Sequence, residues 1–288
     1  MIDETAAEIA DMQTHSSSEV AVKAARALRS VTEREFPTVD EYHRALDRNS
    51  SALQRANPSH ASLHNTQCEI VETVATSNVE TVTAAKNLTL DTIDAIIERI
   101  EESKQAAADR VASMIESTQT LLTHDYSTTV LSGIEAAVED GTELTVYVTE
   151  SRPRYLGRKT ARRLGEYDGV DTRLIVDSAA GSYLDDVDHV FIGMTCIVDK
   201  TLYNRVGTYP IAATAADVAV PVTSVGSAAK IIEGGFRFEN EQRVTSEVMR
   251  EPPEGFKIEN PAYDATPVGL LENVVTDEGV IMPESLGE

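Results

Sequence analysis

From about residue 140 the chain stops repeating every three or four residues and begins to alternate short β-rich runs with helical ones. Few architectures accommodate that change of period. The runs are LTVYVTE (144–150), RLIVDSA (173–179), DHVFIGM (188–194) and VAVPVTSVG (218–226). LGRKTARRLGEY (156–167) lies between the first two, SYLDDV (182–187) precedes the third, and TYPIAATAADV (208–218) precedes the fourth. Strands joined through helices pair side by side by crossovers, so the spacing predicts βαβ units and a mostly parallel sheet with right-handed connections. In such sheets ligands bind beyond the carboxyl ends of the strands. The loops at 149–154, 177–181, 193–196 and 224–230 are therefore the expected addresses of a site.

The first 120 residues read as helix. FPTVDEYHRAL offers Thr38 as an N-cap with Glu41 three residues later, the spacing of a capping box. From Leu90 the apolar positions Ile93, Ile96, Ile97 and Ile100 recur at helical spacing, and Val111, Met114 and Ile115 continue the stripe. The expected fold class is α/β, with an N-terminal helical domain over 1–119 and a Rossmann-like, doubly wound domain over 120–288.

The charge balance narrows the function. There are 48 acidic and 25 basic residues, a net charge of −23, and only seven of the cations are lysine. An acidic, lysine-poor surface suits a cytoplasm of high salt, where the Debye length falls to about 3 Å at 1 M. A thermal midpoint that climbs with molar KCl is the expected sign of a halophilic protein, and indifference to salt would remove the idea. A strongly acidic chain argues against a nucleic-acid footprint. No run of 18 apolar residues predicts a membrane span. MIDETAAEIADM lacks the basic and apolar regions of a signal peptide. Cys68 and Cys196 form no CxxC pair, so neither a disulfide nor a zinc site is expected, and the expected compartment is a reducing cytoplasm.

Four segments carry chemistry. TESRPRYLGRKTARR (149–163) leaves a strand and enters a helix with Arg152, Arg154, Arg158, Lys159, Arg162 and Arg163. Forked guanidinium donors beside free helix N–H groups suit a phosphate, although a solvated basic face is the plain alternative. No GxGxxG or GxxxxGK[ST] accompanies them, so neither a dinucleotide fingerprint nor a P-loop is supported. GMTCIVDKTLYNRVGT (193–208) places Asn204, Arg205, Gly207 and Thr208 on an expected turn, with Gly207 free to take positive φ. His60 and His64 have i, i+4 spacing without further ligands, which favours a surface or capping role over a metal; Cys196 reads as a buried structural thiol. LLTHDYSTTV (121–130) sets His124 beside Asp125, with Ser127 as an N-cap candidate.

Taken together, THDYS, VTESRP, DSAA, NRVGT, Lys230 after the fourth run and NPAYDATP (260–267) resemble one family. It comprises the alpha/beta/delta subunits of translation initiation factor 2B and their relatives ribose-1,5-bisphosphate isomerase and methylthioribose-1-phosphate isomerase. The resemblance spans most of the chain and is strongest from 120 to 280. It implies a helical N-terminal domain, a Rossmann-like second domain that dimerises, and a sugar-phosphate or nucleotide pocket between the domains. It also implies ligand-binding roles for Ser127, Thr128, Arg152, Asn204, Arg205 and Lys230, with no cofactor and no metal.

The departures from the family pattern are chemical. The isomerases have a cysteine where this chain has Asp125, and an aspartate where it has Thr195. His15-Ser16 and Asn57 stand where phosphate-binding arginines are expected, and Asn204-Arg205 replaces an Asn-Lys pair. Moving a proton between adjacent sugar carbons needs a group that titrates near working pH, and a threonine hydroxyl does not. The expectation is a non-catalytic protein that binds a phosphorylated sugar or nucleotide and assembles as a homodimer or larger, with initiation factor 2 subunits as a translation partner. The alternative is a sugar-phosphate isomerase using Asp125. A nicotinamide-linked oxidoreductase, the third class, lacks its glycine signature.

Overall fold

The computed structural model describes residues 2–11, 16–232, 238–251 and 254–286, and the chain divides into two compact units, Met1–Glu102 and Ser103–Glu288. His15 lies outside the described residues. The first unit is helical: α1 (Ile2–Ala10), α2 (Ser17–Thr32), α3 (Val39–Ala56), α4 (Ala61–Ala75) and the beginning of α5 (Val82–Met114). In α2 the residues Val20, Ala24, Ala25, Leu28 and Val31 form one buried stripe, so small side chains bring neighbouring helices close while Leu28 fills the core. Thr38 caps α3 as expected, its hydroxyl accepting the Glu41 N–H at 3.2 Å. Buried Tyr42 satisfies its hydroxyl on Thr89 at 2.6 Å. Asn57 is the buried C-cap of α3. His60 is the buried N-cap residue of α4, and no cluster that could hold a metal ion occurs among the described residues.

The second unit is built on a seven-stranded sheet. Its strands are β1 (Thr120–His124), β2 (Leu144–Thr149), β3 (Val170–Ile175), β4 (His189–Gly193), β7 (Val222–Val225), β10 (Asn273–Val275) and β11 (Val280–Ile281). Their order is β11-β10-β7-β4-β1-β2-β3, and every pairing is parallel except β10 with β11. The connecting helices include α6 (Thr128–Glu139), α7 (Gly157–Leu164) and α8 (Thr208–Asp217). Strand order runs outward in one direction from β1 and in the other from β4, so the topological switch point lies between them. Leu121, Leu122, Val146, Val148, Val190, Phe191 and Ile192 are buried in these central strands, as both faces of a parallel sheet require.

Three features depart from the expected elements. RLIVDSA is not one strand: β3 starts at Val170 and ends at Ile175, and 177–182 turns as a 3-10 helix. Asp177 is the cause, since its two carboxylate oxygens accept the backbone N–H groups of Ser151 and Arg152, both at 2.7 Å. Secondly, Thr120–His124 is a strand, although it is not among the β-rich runs picked out from the sequence. Thirdly, Asn204 and Arg205 lie not on a turn but in β6 (Thr201–Arg205). This strand belongs to a second, four-stranded sheet with β5 (Cys196–Val198), β8 (Ile231–Ile232) and β9 (Tyr263–Pro267), in the order β8-β5-β6-β9. Short strands of mixed burial carry too weak a period to be read from sequence.

Two glycines are steric requirements of this arrangement. A Cβ on Gly157 would lie 1.7 Å from the Thr149 carbonyl oxygen, so only glycine lets α7 start against the end of β2. Gly207 takes φ +109°, as expected, and a Cβ there would collide with the His124 ring at 2.6 Å.

Candidate functional site

The carboxyl end of β1 delivers His124 and Asp125 in opposite roles. His124 Nε2 donates to the Val206 carbonyl at 2.9 Å, and its Nδ1 lies 2.7 Å from the Thr149 hydroxyl. Both ring nitrogens are engaged in tying β1 to β2 and to the end of β6, so His124 is a structural strut. Asp125 adopts φ +67°, a left-handed conformation that aspartate tolerates better than most residues. Its N–H donates to Ser151 Oγ and its carbonyl accepts from Thr160 Oγ1, each at 2.7 Å. With the backbone fixed on both sides, the carboxylate reaches Arg205 Nε at 3.4 Å.

A narrow cleft opens beside this carboxylate, lined by Asp125, Ser151, Arg152, Arg154, Arg205, Arg243, Glu247 and Asn260 among others. The loop after β2 supplies Ser151, Arg152 and Arg154, and β6 supplies Arg205. Arg205 lies over the Tyr263 ring, 5.0 Å from its centre. Arg243 is bracketed by Glu241 at 2.9 Å and Glu247 at 2.8 Å. Arg154 meets Glu247 only at 3.7 Å.

The electrostatics distinguish these arginines. Burial pushes Arg154 below the ordinary arginine range, and the guanidiniums of Arg243 and Arg205 push it further, against the opposing pull of Glu247 and Asp125. Burial also works against the charge of Arg205 and Arg243, but Tyr263 and Asp125 carry the first upward, and the hydrogen bonds that Arg243 donates to Glu247 and Glu241 carry the second upward. A crowded set of cations held in a partly desolvated cleft favours an incoming anion. Forked guanidinium donors suit the oxygens of a phosphate group.

Of the residues expected to bind ligand, Arg152 and Arg205 line this cleft, as does Asp125. The others sit elsewhere in the second unit. Ser127 caps α6, its hydroxyl accepting the Val130 N–H at 3.4 Å, and Thr128 is the buried first residue of that helix. Gly193 permits the approach of Ser127, because a Cβ there would lie 2.8 Å from Ser127 Oγ. Asn204 donates to Thr208 Oγ1 at 3.0 Å. Lys230 is buried and donates to the Met194 carbonyl at 3.1 Å, and burial pushes its amine down to about 8. Thr195, next in sequence to Met194, is buried just past the end of β4.

The basic cluster of 149–163 is divided rather than shared. Arg158 pairs with Glu150 at 2.6 Å, Arg163 with Glu135 at 2.6 Å, and Lys159 sits 4.0 Å over the Tyr126 ring. With Arg162 they occupy exposed positions of α7. Cys196 is buried in β5, where burial raises its thiol to about 12, which excludes a ready thiolate. Sequence reasoning missed Arg243 and Glu247, which lie outside every strand and helix pattern. Asn260 belongs to the quoted NPAYDATP motif without having been assigned a role.

The profile of the Initiation factor 2 subunit family matches residues 13–283. A ribose 1,5-bisphosphate isomerase of Haloterrigena turkmenica is 34% identical, with 98% of this chain and 90% of that protein covered. The enzyme of the same name from Haloferax volcanii is 32% identical, with 98% and 89% covered. Among solved structures, the translation initiation factor eIF-2B of Pyrococcus horikoshii OT3 superposes with a TM-score of 0.83 at 23% identity, over 100% of this chain and 98% of that one, and this likeness concerns the fold alone.

Proposed function

Since the chain belongs to the initiation factor 2 subunit family, we propose that it is a sugar-phosphate isomerase of the aldose–ketose type, acting on a pentose bisphosphate. The observation that carries this reading is the Asp125 carboxylate, 3.4 Å from Arg205 at the edge of an arginine-lined cleft. Relatives named ribose 1,5-bisphosphate isomerase over nearly the whole chain support it, and they favour it over the expectation of a non-catalytic protein.

In this reading Arg154, Arg205 and Arg243 hold a phosphate group while the sugar opens. Opening breaks the bond from C1 to the ring oxygen, which takes up a proton from solvent. Asp125 takes the proton from C2 as a C1–C2 double bond forms, and returns it to C1 while the C2 hydroxyl gives its proton to solvent and becomes the carbonyl. Proton transfer by a positioned carboxylate contributes about 10²–10⁴-fold in rate. Incubation with ribose 1,5-bisphosphate in molar KCl, with the ketose product followed by NMR, is the direct test. Asp125→Asn should lower turnover about a hundredfold or more; undiminished turnover would remove Asp125 from the mechanism.

One observation favours a second reading, a binder of phosphorylated sugars or nucleotides that turns nothing over. Thr195 stands at the end of β4, where the resemblance places the enzymes' second ionisable group. Tight binding of ribose 1,5-bisphosphate with no ketose formed would select this reading. Assembly as a homodimer or larger, and a role with initiation factor 2 subunits, are proposals that rest on the family. Sedimentation and co-purification test them.

A further inference from the structure

Glu247 is the cleft residue whose place the phosphate-binding reading leaves unexplained. An anion site gains nothing from a carboxylate in its wall, yet Glu247 Oε1 lies 2.8 Å from Arg243 Nη2 and 3.7 Å from Arg154 Nε. Its other oxygen accepts from Asn260 Nδ2 at 3.1 Å and faces Arg243 Nε at 3.5 Å. Arg243 does not depend on it alone, since Glu241 holds Nη1 at 2.9 Å.

The segment that carries Glu247 is tethered by polar contacts rather than by packing. None of the residues of its 3-10 turn, Thr245–Glu247, is buried, and the neighbouring Val244, Val248 and Met249 are all exposed. Further ties among the described residues include a bond from Arg152 Nη2 to the Val248 carbonyl at 3.3 Å, one from Asn260 Nδ2 to the Val244 carbonyl at 3.1 Å and, at the start of the segment, one from the Arg243 N–H to the Asn260 carbonyl at 2.8 Å. A segment with little buried apolar surface opens at low cost.

We propose that Glu247 is an internal counter-anion that occupies, in the empty protein, the place between Arg154 and Arg243 that a ligand phosphate takes. A carboxylate brings one negative charge and two acceptor oxygens, whereas a phosphate monoester brings close to two charges and three oxygens. The ligand therefore outcompetes Glu247, which swings out with its turn and leaves Arg243 to Glu241. The device keeps buried cations compensated until the ligand arrives, and it selects against anions too weak to displace a carboxylate. It rests on the phosphate-binding reading of the same cleft.

Inorganic phosphate is the probe, titrated by calorimetry in phosphate-free molar KCl against wild type, Glu247→Gln and Arg154→Ala. Glu247→Gln should bind phosphate about fivefold or more tighter, because the competitor is gone while the Asn260 contact remains available. Binding by wild type with no tightening in Glu247→Gln overturns the displacement and leaves the site reading intact. No binding by either overturns both. A readout on unmodified protein guards against a folding defect. Phosphate should speed tryptic cleavage after the exposed Arg250, because releasing Glu247 frees the turn before it; unchanged or slower cleavage overturns the proposal.

Discussion

Arg154 and Arg162 lie eight positions apart in one basic stretch, yet the fold makes them different objects. Arg162 and its neighbours Arg158, Lys159 and Arg163 stand on the exposed side of α7, where the partners of the latter three are carboxylates and aromatic rings close by on the surface. Exposed pairs of this kind contribute about 0–1 kcal/mol and are weakened further by salt. Arg154 is turned inward to meet Arg205 and Arg243, which come from other parts of the chain, and burial with those neighbours lowers its pKa. A dense run of cations in a sequence is thus a poor guide to an anion site. The candidate site is where the fold removes cations from water and crowds them.

The sharpest way to break this comparison is at Arg205. Arg205→Ala strips the Asp125 carboxylate of its ion pair and Tyr263 of its cation, at a position only 11% exposed. Removing one partner of a buried pair costs roughly 3–5 kcal/mol, which a shift of the denaturant midpoint would register. A loss below about 1 kcal/mol, the range of exposed pairs, would place Arg205 with the surface cations.

Arg154→Ala tests ligand binding directly. One charged contact contributes roughly 1.5–3 kcal/mol, so affinity for a sugar phosphate should fall about tenfold or more. The matched change Arg162→Ala should alter it less than about twofold, since an isolated exposed charge acts weakly through solvent. Equal effects at the two positions would erase the distinction drawn above.

Lys230 offers a smaller, pH-dependent contrast with the surface lysines. Its folded-state value is near 8 against an ordinary 10.5, with burial the cause. Between those values the unfolded chain holds a proton that the folded chain has released, so stability should rise with pH from about 8 to about 10.5. Below pH 8 the cost of keeping the buried amine charged is present in full. Lys230→Met should flatten the rise, measured as the difference in denaturant midpoint between variant and wild type across that window. Identical slopes would mean that the amine stays charged throughout.

Much of the frame was legible before any coordinates. The alternating runs gave the parallel sheet, Thr38 and Ser127 were readable as caps, and Gly207 as a residue of positive φ, because each signal depends on residues a few positions apart. The second sheet was not legible. Its strands span two to five residues, too short for a two-residue period to stand out, and Asn204 and Arg205 were consequently expected on a turn. Nor could Glu247 be found as a cleft residue: its spacing from Arg243 reads only as a local i, i+4 pair, and its partners Arg154 and Asn260 lie far from it in the chain.

The sequence by itself determined the two kinds of architecture, the edge of the sheet where a site is expected, and the family. Those properties are written in periodicity, caps and motif order, which are short-range. Only the tertiary structure decided which cations leave water, which carboxylates meet them, and that His124 is a strut while Asp125 faces a cleft. Desolvation and charge crowding depend on atoms brought together from strands and loops far apart in the chain. No local pattern of residues records that proximity.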